Sequence, residues 1–142
     1  MNTCVFCQIV SREVPAAIVF EDDESLAFLD HRPVFPGHCL LVPKQHRDSL
    51  VDLEPQLLGT LFGNARLLAL AVEKGLAAQG AFVAVNNRVS QSVPHVHVHV
   101  VPRTKGDGLK GFFWPRQKYR DLEHMEEVRC ALTEAMSTLR TF

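Results

Sequence analysis

Three histidines stand at alternate positions in the run His95-Val96-His97-Val98-His99-Val100-Val101. Along a β-strand, residues i, i+2 and i+4 share a face, so the run predicts imidazoles on one side and valines on the other. The β-branched residues favour a strand over a helix. Near neutral pH, imidazole serves proton transfer, metal ligation and nucleophilic attack. Three imidazoles on an otherwise apolar strand cost free energy unless they find partners. One reading is a metal-binding or hydrogen-bonded polar face. The other is a nucleophilic centre. A neutral imidazole nitrogen can attack phosphorus and give a phosphoramidate that water later cleaves. That chemistry needs a partner on the second ring nitrogen to fix the tautomer, and donors for the phosphate oxygens. His97, flanked by His95 and His99 on its own face, is the candidate nucleophile. Ser92 adds a hydroxyl donor at the entrance to the strand, and Gln91 is a candidate for a backbone or ligand contact.

The elements that must position these groups follow from pattern and punctuation. Apolar residues at Val5, Phe6, Ile9 and Val10 predict a short helix that ends before Pro15. Strands are expected at Ile18–Phe20, Ser25–Leu29, His38–Pro43, Ala81–Asn86 and His95–Val101. Leu57, Leu61, Ala65, Leu68, Val72 and Leu76 recur at helical spacing after Glu54-Pro55. They predict one long amphipathic helix, with Gly80 closing it. A final helix is expected over about Leu122–Leu139. Short connections between the early strands imply antiparallel pairing. The expected class is α+β: a five-stranded antiparallel sheet with a long helix packed on one face and a C-terminal helix. Residues 1–142 read as a single domain, with no repeat, low-complexity tract or linker.

Composition narrows the function. The 142 residues suffice for a proper core. A net charge of −1 gives no basic footprint for nucleic acid. Met1-Asn2-Thr3-Cys4 is no secretory signal, and no apolar run has transmembrane length, so a cytoplasmic protein without membrane contact is expected. The four cysteines, Cys4, Cys7, Cys39 and Cys130, make a poor disulfide framework but include one Cys-x-x-Cys pair.

The stretch from Gln91-Ser92-Val93-Pro94-His95 to Val101-Pro102-Arg103 resembles the signature of the histidine triad (HIT) superfamily of nucleotide hydrolases and transferases. The likeness extends through Val5–Val10, Phe20–Asp23, Ala27–Asp30 and Pro36–His46, in the order of that family. The resemblance implies that His97 attacks the α-phosphate, that His99 contacts the phosphate and the leaving atom, and that His95 orients the site or binds metal. Asp30 matches the aspartate that accepts from the ribose hydroxyls, a task suited to a carboxylate. Phe6, Ile9, Phe28 and Leu29 match the apolar residues that hold the base; without the resemblance they read as core. Asn86 matches a polar residue on the phosphate side. His38 is expected to point inward beside the phosphate or to bond backbone, and His31 to line the base pocket. The loop Asn87-Arg88-Val89-Ser90 departs from the family pattern: it is short and lacks the common glycine before Gln91. The implied activity is hydrolysis of a phosphoramidate or dinucleoside polyphosphate through a nucleotidyl-histidine, releasing a nucleoside monophosphate, with a purine expected. Nucleotidyl transfer, phosphorolysis or nucleotide binding with little turnover are the alternatives.

Cys4 and Cys7 supply two thiolates from one turn. Structural zinc takes four Cys and His ligands, and His46 and His95 are the natural completions, with Cys39 as the alternative fourth. Some bacterial HIT proteins are similar in combining such a pair with a distant histidine and the first triad histidine. The plainer reading makes the cysteines small apolar fillers. Cys130 is expected to be buried packing. Gly111-Phe112-Phe113-Trp114-Pro115-Arg116 is an aromatic cluster that needs burial. Either it packs within the chain, or Trp114 and Arg116 help form a leaving-group pocket in a homodimer, the usual assembly of this branch.

Overall fold

The structure is a computed structural model in which residues 3–109 and 116–140 are described. The chain forms two compact units, Met1–Asp107 and Gly108–Phe142. Among the aromatic-cluster residues, 111–115 lie outside the described residues; Arg116 is exposed.

The first unit is built on an antiparallel sheet of five strands in the order β1-β2-β3-β5-β4. These are β1 (Ile18–Glu21), β2 (Ser25–Leu29), β3 (Cys39–Pro43), β4 (Gly80–Ala84) and β5 (Val98–Arg103). Helix α1 (Val5–Val10) precedes β1, and helix α2 (Pro55–Leu76) connects β3 to β4. Every pairing is antiparallel, and for β1–β2 and β2–β3 the short connections favour it. β2 and β3 read as continuous apolar runs because both of their faces are covered. On one face Ala27, Cys39, Leu41, Val98 and Val100 meet Leu57, Leu61, Ala65, Leu68 and Val72 of α2. On the other, Leu26, Phe28, Leu40 and Val42 meet Phe6 and Ile9 of α1. The sequence predicts only the first of these layers. Burying a side chain such as Leu61 contributes about 2 kcal/mol.

α2 starts where Pro55 follows Glu54, since proline at the first helical turn loses no helical hydrogen bond. It ends earlier than expected. Ala77, with φ 56°, adopts the left-handed cap conformation and its N–H reaches the Val72 carbonyl. Gly80 is therefore not the cap but the first residue of β4. Asn64 joins α2 to the β1–β2 turn by donating to Asp22 Oδ2 at 2.8 Å and Ser25 Oγ at 2.7 Å. A short 3-10 turn, Leu50–Asp52, carries no periodic signal in the sequence; Ser49 starts it by donating from N and Oγ to Asp52 Oδ2.

The triad run differs most from expectation. β5 begins at Val98, so of the three histidines only His99 lies in the ladder. Two constraints end the pairing. β4 stops at Ala84, opposite His99. On the other side, β3 ends at Pro43, which has no N–H to give. The backbone of the lead-in turns elsewhere: Val96 N–H donates to the Arg47 carbonyl at 2.8 Å. Alternation nonetheless survives, with Val96, Val98 and Val100 all in the α2 core.

Gly37 is fixed by conformation and by space. Its φ is +98°, and a Cβ there would run into the side chains of Leu76 and Pro102. The loop before β3 thus packs tightly on the end of α2.

In the second unit, Asp121 caps α3 (Leu122–Leu139) by accepting from the His124 N–H at 2.7 Å. No α3 residue is buried. Cys130 is exposed rather than core, and its thiol contacts Glu126.

Candidate active site

His97 is buried, and its Nδ1–H donates to the carbonyl of His95 at 2.8 Å. A carbonyl can only accept, so in the neutral ring the lone pair resides on Nε2. The adjacent His99 ring lies 5.0 Å away, centre to centre. Its tautomer is set by a relay. Val34 N–H donates to His38 Nδ1 at 3.1 Å, which leaves the His38 proton on Nε2. That Nε2–H donates to His99 Nδ1 at 2.9 Å. Neutral His99 therefore carries its own proton on Nε2. Burial, reinforced by His97 and His38 and opposed by Asp30, pushes His99 down to about 4. Burial also lowers His38. The site thus presents one ring nitrogen able to attack and one N–H able to donate.

These rings open on a cleft of about 560 Å³, a volume suited to a small ligand. Phe6, Ile9, Phe28 and Leu29 form its apolar wall. The Phe6 ring stands edge-on to Phe28 at 5.4 Å and to His97 at 5.0 Å. Asp30, His31 and Ser92 also line the cleft. Asp30 Oδ1 accepts from the Arg32 N–H at 2.9 Å, and Oδ2 lies 3.8 Å from His38 Nδ1. His38 does not line the cleft; it supports His99 from behind while bonding backbone.

Two expected ligand contacts lie elsewhere. Asn86 is exposed beyond the end of β4 and is not among the cleft-lining residues. Gln91 turns away from the cleft: its Nε2–H donates to the Asp48 carbonyl at 2.6 Å and its Oε1 accepts from the Arg88 N–H at 2.9 Å. Both ends of the side chain are thus engaged by backbone. Ser90, where the family glycine was missing, has φ 60° and so keeps a glycine-like backbone.

Close to His97 in sequence and space, the ligand atoms of Cys4, Cys7, His46 and His95 all lie within 4.8 Å of one another. His95 Nδ1 is 3.4 Å from Cys4 Sγ, and His46 Nδ1 is 3.3 Å from Cys7 Sγ. Each imidazole is anchored by its other nitrogen. His95 Nε2–H donates to the Pro43 carbonyl at 2.8 Å, and His46 Nε2–H to Asp48 Oδ1 at 2.7 Å. Both Nδ1 lone pairs therefore converge with two thiols, and the donor set fits a tetrahedral metal ion. Cys39 is excluded by the strand alternation: it sits in the α2 core, its thiol donating to the Gly37 carbonyl at 3.3 Å. Burial raises that thiol. Sequence reading missed Asp48, although His46-x-Asp48 is a recognisable spacing for a carboxylate that orients a ligating imidazole.

Comparison with known proteins agrees with this geometry. The HIT domain family model matches residues 11–106. A HIT family protein of Bacillus subtilis has a similar crystal structure (TM-score 0.83, 30% identity, covering 94% of this chain and 96% of that one). So has a zinc-bound histidine triad family protein of Mycobacterium smegmatis (TM-score 0.73, 37% identity, 96% and 97% covered). An adenylylsulfatase of Arabidopsis thaliana is 34% identical over 137 residues, covering 91% of this chain and 68% of that protein. The chain belongs to the HIT family. Among the described residues, no helix is long and apolar enough to cross a membrane.

Proposed function

We propose that the protein is a nucleotide hydrolase that cleaves at the α-phosphate through a nucleotidyl-His97 intermediate and releases a nucleoside monophosphate. The observation that carries this reading is the His97 Nδ1–H bond to the His95 carbonyl, which leaves Nε2 as the attacking atom. In the first step Nε2 bonds to phosphorus while the bond to the leaving group breaks. The leaving atom keeps the electron pair and takes a proton from solvent, while the Nε2–H of neutral His99 donates a hydrogen bond to it. Ser92 offers a hydroxyl to a phosphate oxygen. Water then attacks phosphorus, the pair of the P–N bond returns to the ring, and one water proton passes to solvent.

Asp30 is suited to accept from both ribose hydroxyls, and the Phe6, Ile9, Phe28 and Leu29 wall to cover a purine. The relative named an adenylylsulfatase supports an adenylyl-bearing substrate. Zinc is the metal that two thiolates and two imidazoles favour, and the zinc-bound relative supports it. With all four positions filled by protein, zinc would supply structure, fixing α1 to the segment before β5. A homodimer is supported by Leu122, Leu132 and Leu139, all largely exposed along α3.

The reading is tested by incubating metal-replete protein with adenosine 5′-phosphoramidate. AMP release by the intact protein, and its loss in His97→Ala, is expected. Undiminished release by His97→Ala would overturn it.

A further inference from the structure

The two loops that flank the metal ligands are tied together at several points. One loop, residues 44–50, carries His46. The other, residues 87–96, carries Ser92 and leads into the histidine run. Val96 N–H donates to the Arg47 carbonyl at 2.8 Å, and Leu50 N–H donates to Asn87 Oδ1 at 2.9 Å. Between these ties stands Gln91, which reaches the Asp48 carbonyl at 2.6 Å and receives the Arg88 N–H at 2.9 Å. The same Asp48 accepts from His46 with its side chain. One residue therefore touches a metal ligand through its carboxylate and the catalytic loop through its backbone. The loop needs such support, since Arg88 and Ser90 hold positive φ angles of 73° and 60° that L residues rarely adopt.

We propose that Asp48 and Gln91 are positioning residues that couple the metal centre to the nucleotide cleft, so that metal and nucleotide bind cooperatively. Metal on His46 Nδ1 fixes the ring, the ring fixes Asp48, and Asp48 holds Gln91 and with it the backbone that sets Ser92. Without the metal, His46 keeps its contacts with Asp48, Cys7 and the edge-on His95 ring, and the loop relaxes. A second path from metal to site exists through the His95 carbonyl and His97, and it does not involve Gln91. The proposal rests on the nucleotide and metal readings above. It goes beyond them in assigning Gln91 to neither ligand.

Linkage makes the test symmetric: the factor by which zinc tightens AMP must equal the factor by which AMP tightens zinc. AMP binding is measured by calorimetry on zinc-loaded and stripped protein, and zinc binding by chelator competition with and without AMP. In the wild type both factors are expected to agree at about 5-fold or more. In Gln91→Glu, which keeps the shape but loses the donor to Asp48, both ligands still bind and the factor falls to near 1. A second arm never strips the metal. In zinc-loaded protein, the Leu50 amide, which donates across the two loops to Asn87 Oδ1, exchanges faster with solvent in Gln91→Glu than in wild type, and AMP binds more weakly. No mutual dependence in the wild type, or the same factor in Gln91→Glu, would overturn the coupling, as would unchanged exchange and affinity in the second arm. If AMP fails to bind zinc-loaded wild type, the nucleotide reading falls and the coupling with it. If zinc itself fails to bind, the metal reading falls instead.

Discussion

The backbone carbonyl of His95 accepts the Nδ1–H of His97 at 2.8 Å. The residue that fixes the His97 tautomer is thus also a candidate metal ligand, with its ring directed at Cys4 and Cys7. Main chain and side chain of His95 serve two sites at once. A closed metal shell that immobilises His95 also holds the acceptor on which the orientation of His97 depends.

The relay from Val34 through His38 to His99 sets the proton on His99 Nε2. His38→Phe removes the donor to His99 Nδ1 and frees the opposite tautomer. The expected result is a drop in kcat of roughly 10- to 100-fold, at or below the ~100-fold lower bound for removing a preorganised donor outright, since the donor is misoriented and not deleted, with little change in KM. Steady-state kinetics on adenosine 5′-phosphoramidate reads this. A loss confined to KM would contradict the relay.

His99 is held at about 4, below its ordinary 6.5, chiefly by burial. The sign for stability follows directly. Above pH 6.5 the ring is neutral in both folded and unfolded chains. As pH falls from 6.5 toward 4, the unfolded chain takes up a proton that the folded ring refuses, so stability is lost across that window. Urea unfolding of metal-loaded protein at pH 7 and pH 5 is expected to show the loss, with a smaller pH dependence in His99→Gln. Ring NMR signals of His99 are expected to keep the neutral tautomer down to pH 5.

Two packing features make separate stability predictions. Gly37→Ala places a Cβ against Leu76 in a left-handed backbone and is expected to cost about 1–3 kcal/mol. Asn64→Ala leaves Asp22 and Ser25 without their shared donor and is expected to cost a similar amount, about 1–3 kcal/mol. Denaturant midpoints at neutral pH check both. A change below ~0.5 kcal/mol in either would contradict the packing described.

Metal removal is the fourth case. A ligand bound only by the folded state at 1,000 times its dissociation constant stabilises it by about 4 kcal/mol. Chelation, or Cys7→Ser, is therefore expected to lower the melting temperature of the first unit clearly, whereas Cys39→Ser is expected to leave zinc stoichiometry unchanged. Zinc content by elemental analysis, alongside thermal scans, reads both.

Much of this was legible in the sequence because it rested on periodicity. The α2 stripe from Leu57 to Val72, the strands β1 to β3 and the valine–histidine alternation all carry their own signal. Less legible was whatever depended on a distant backbone partner. Nothing local to His95 says that Pro43 lacks the N–H to extend the ladder, so β5 was expected three residues early. Ala77 caps α2 without the usual glycine, which made Gly80 the more visible stop. Gln91 reads from sequence as a backbone or ligand contact; only the positions of Asp48 and Arg88 show that backbone engages both ends of its amide. Cys130 read as core because cysteine usually is buried, yet α3 has no buried residue.

The most direct measurement is mass spectrometry of protein quenched during turnover of adenosine 5′-phosphoramidate. A mass increase of one adenylyl group is expected, located on His97 after digestion, and absent in His97→Ala. An adduct on another residue, or steady turnover by His97→Ala, would contradict the central role of that ring.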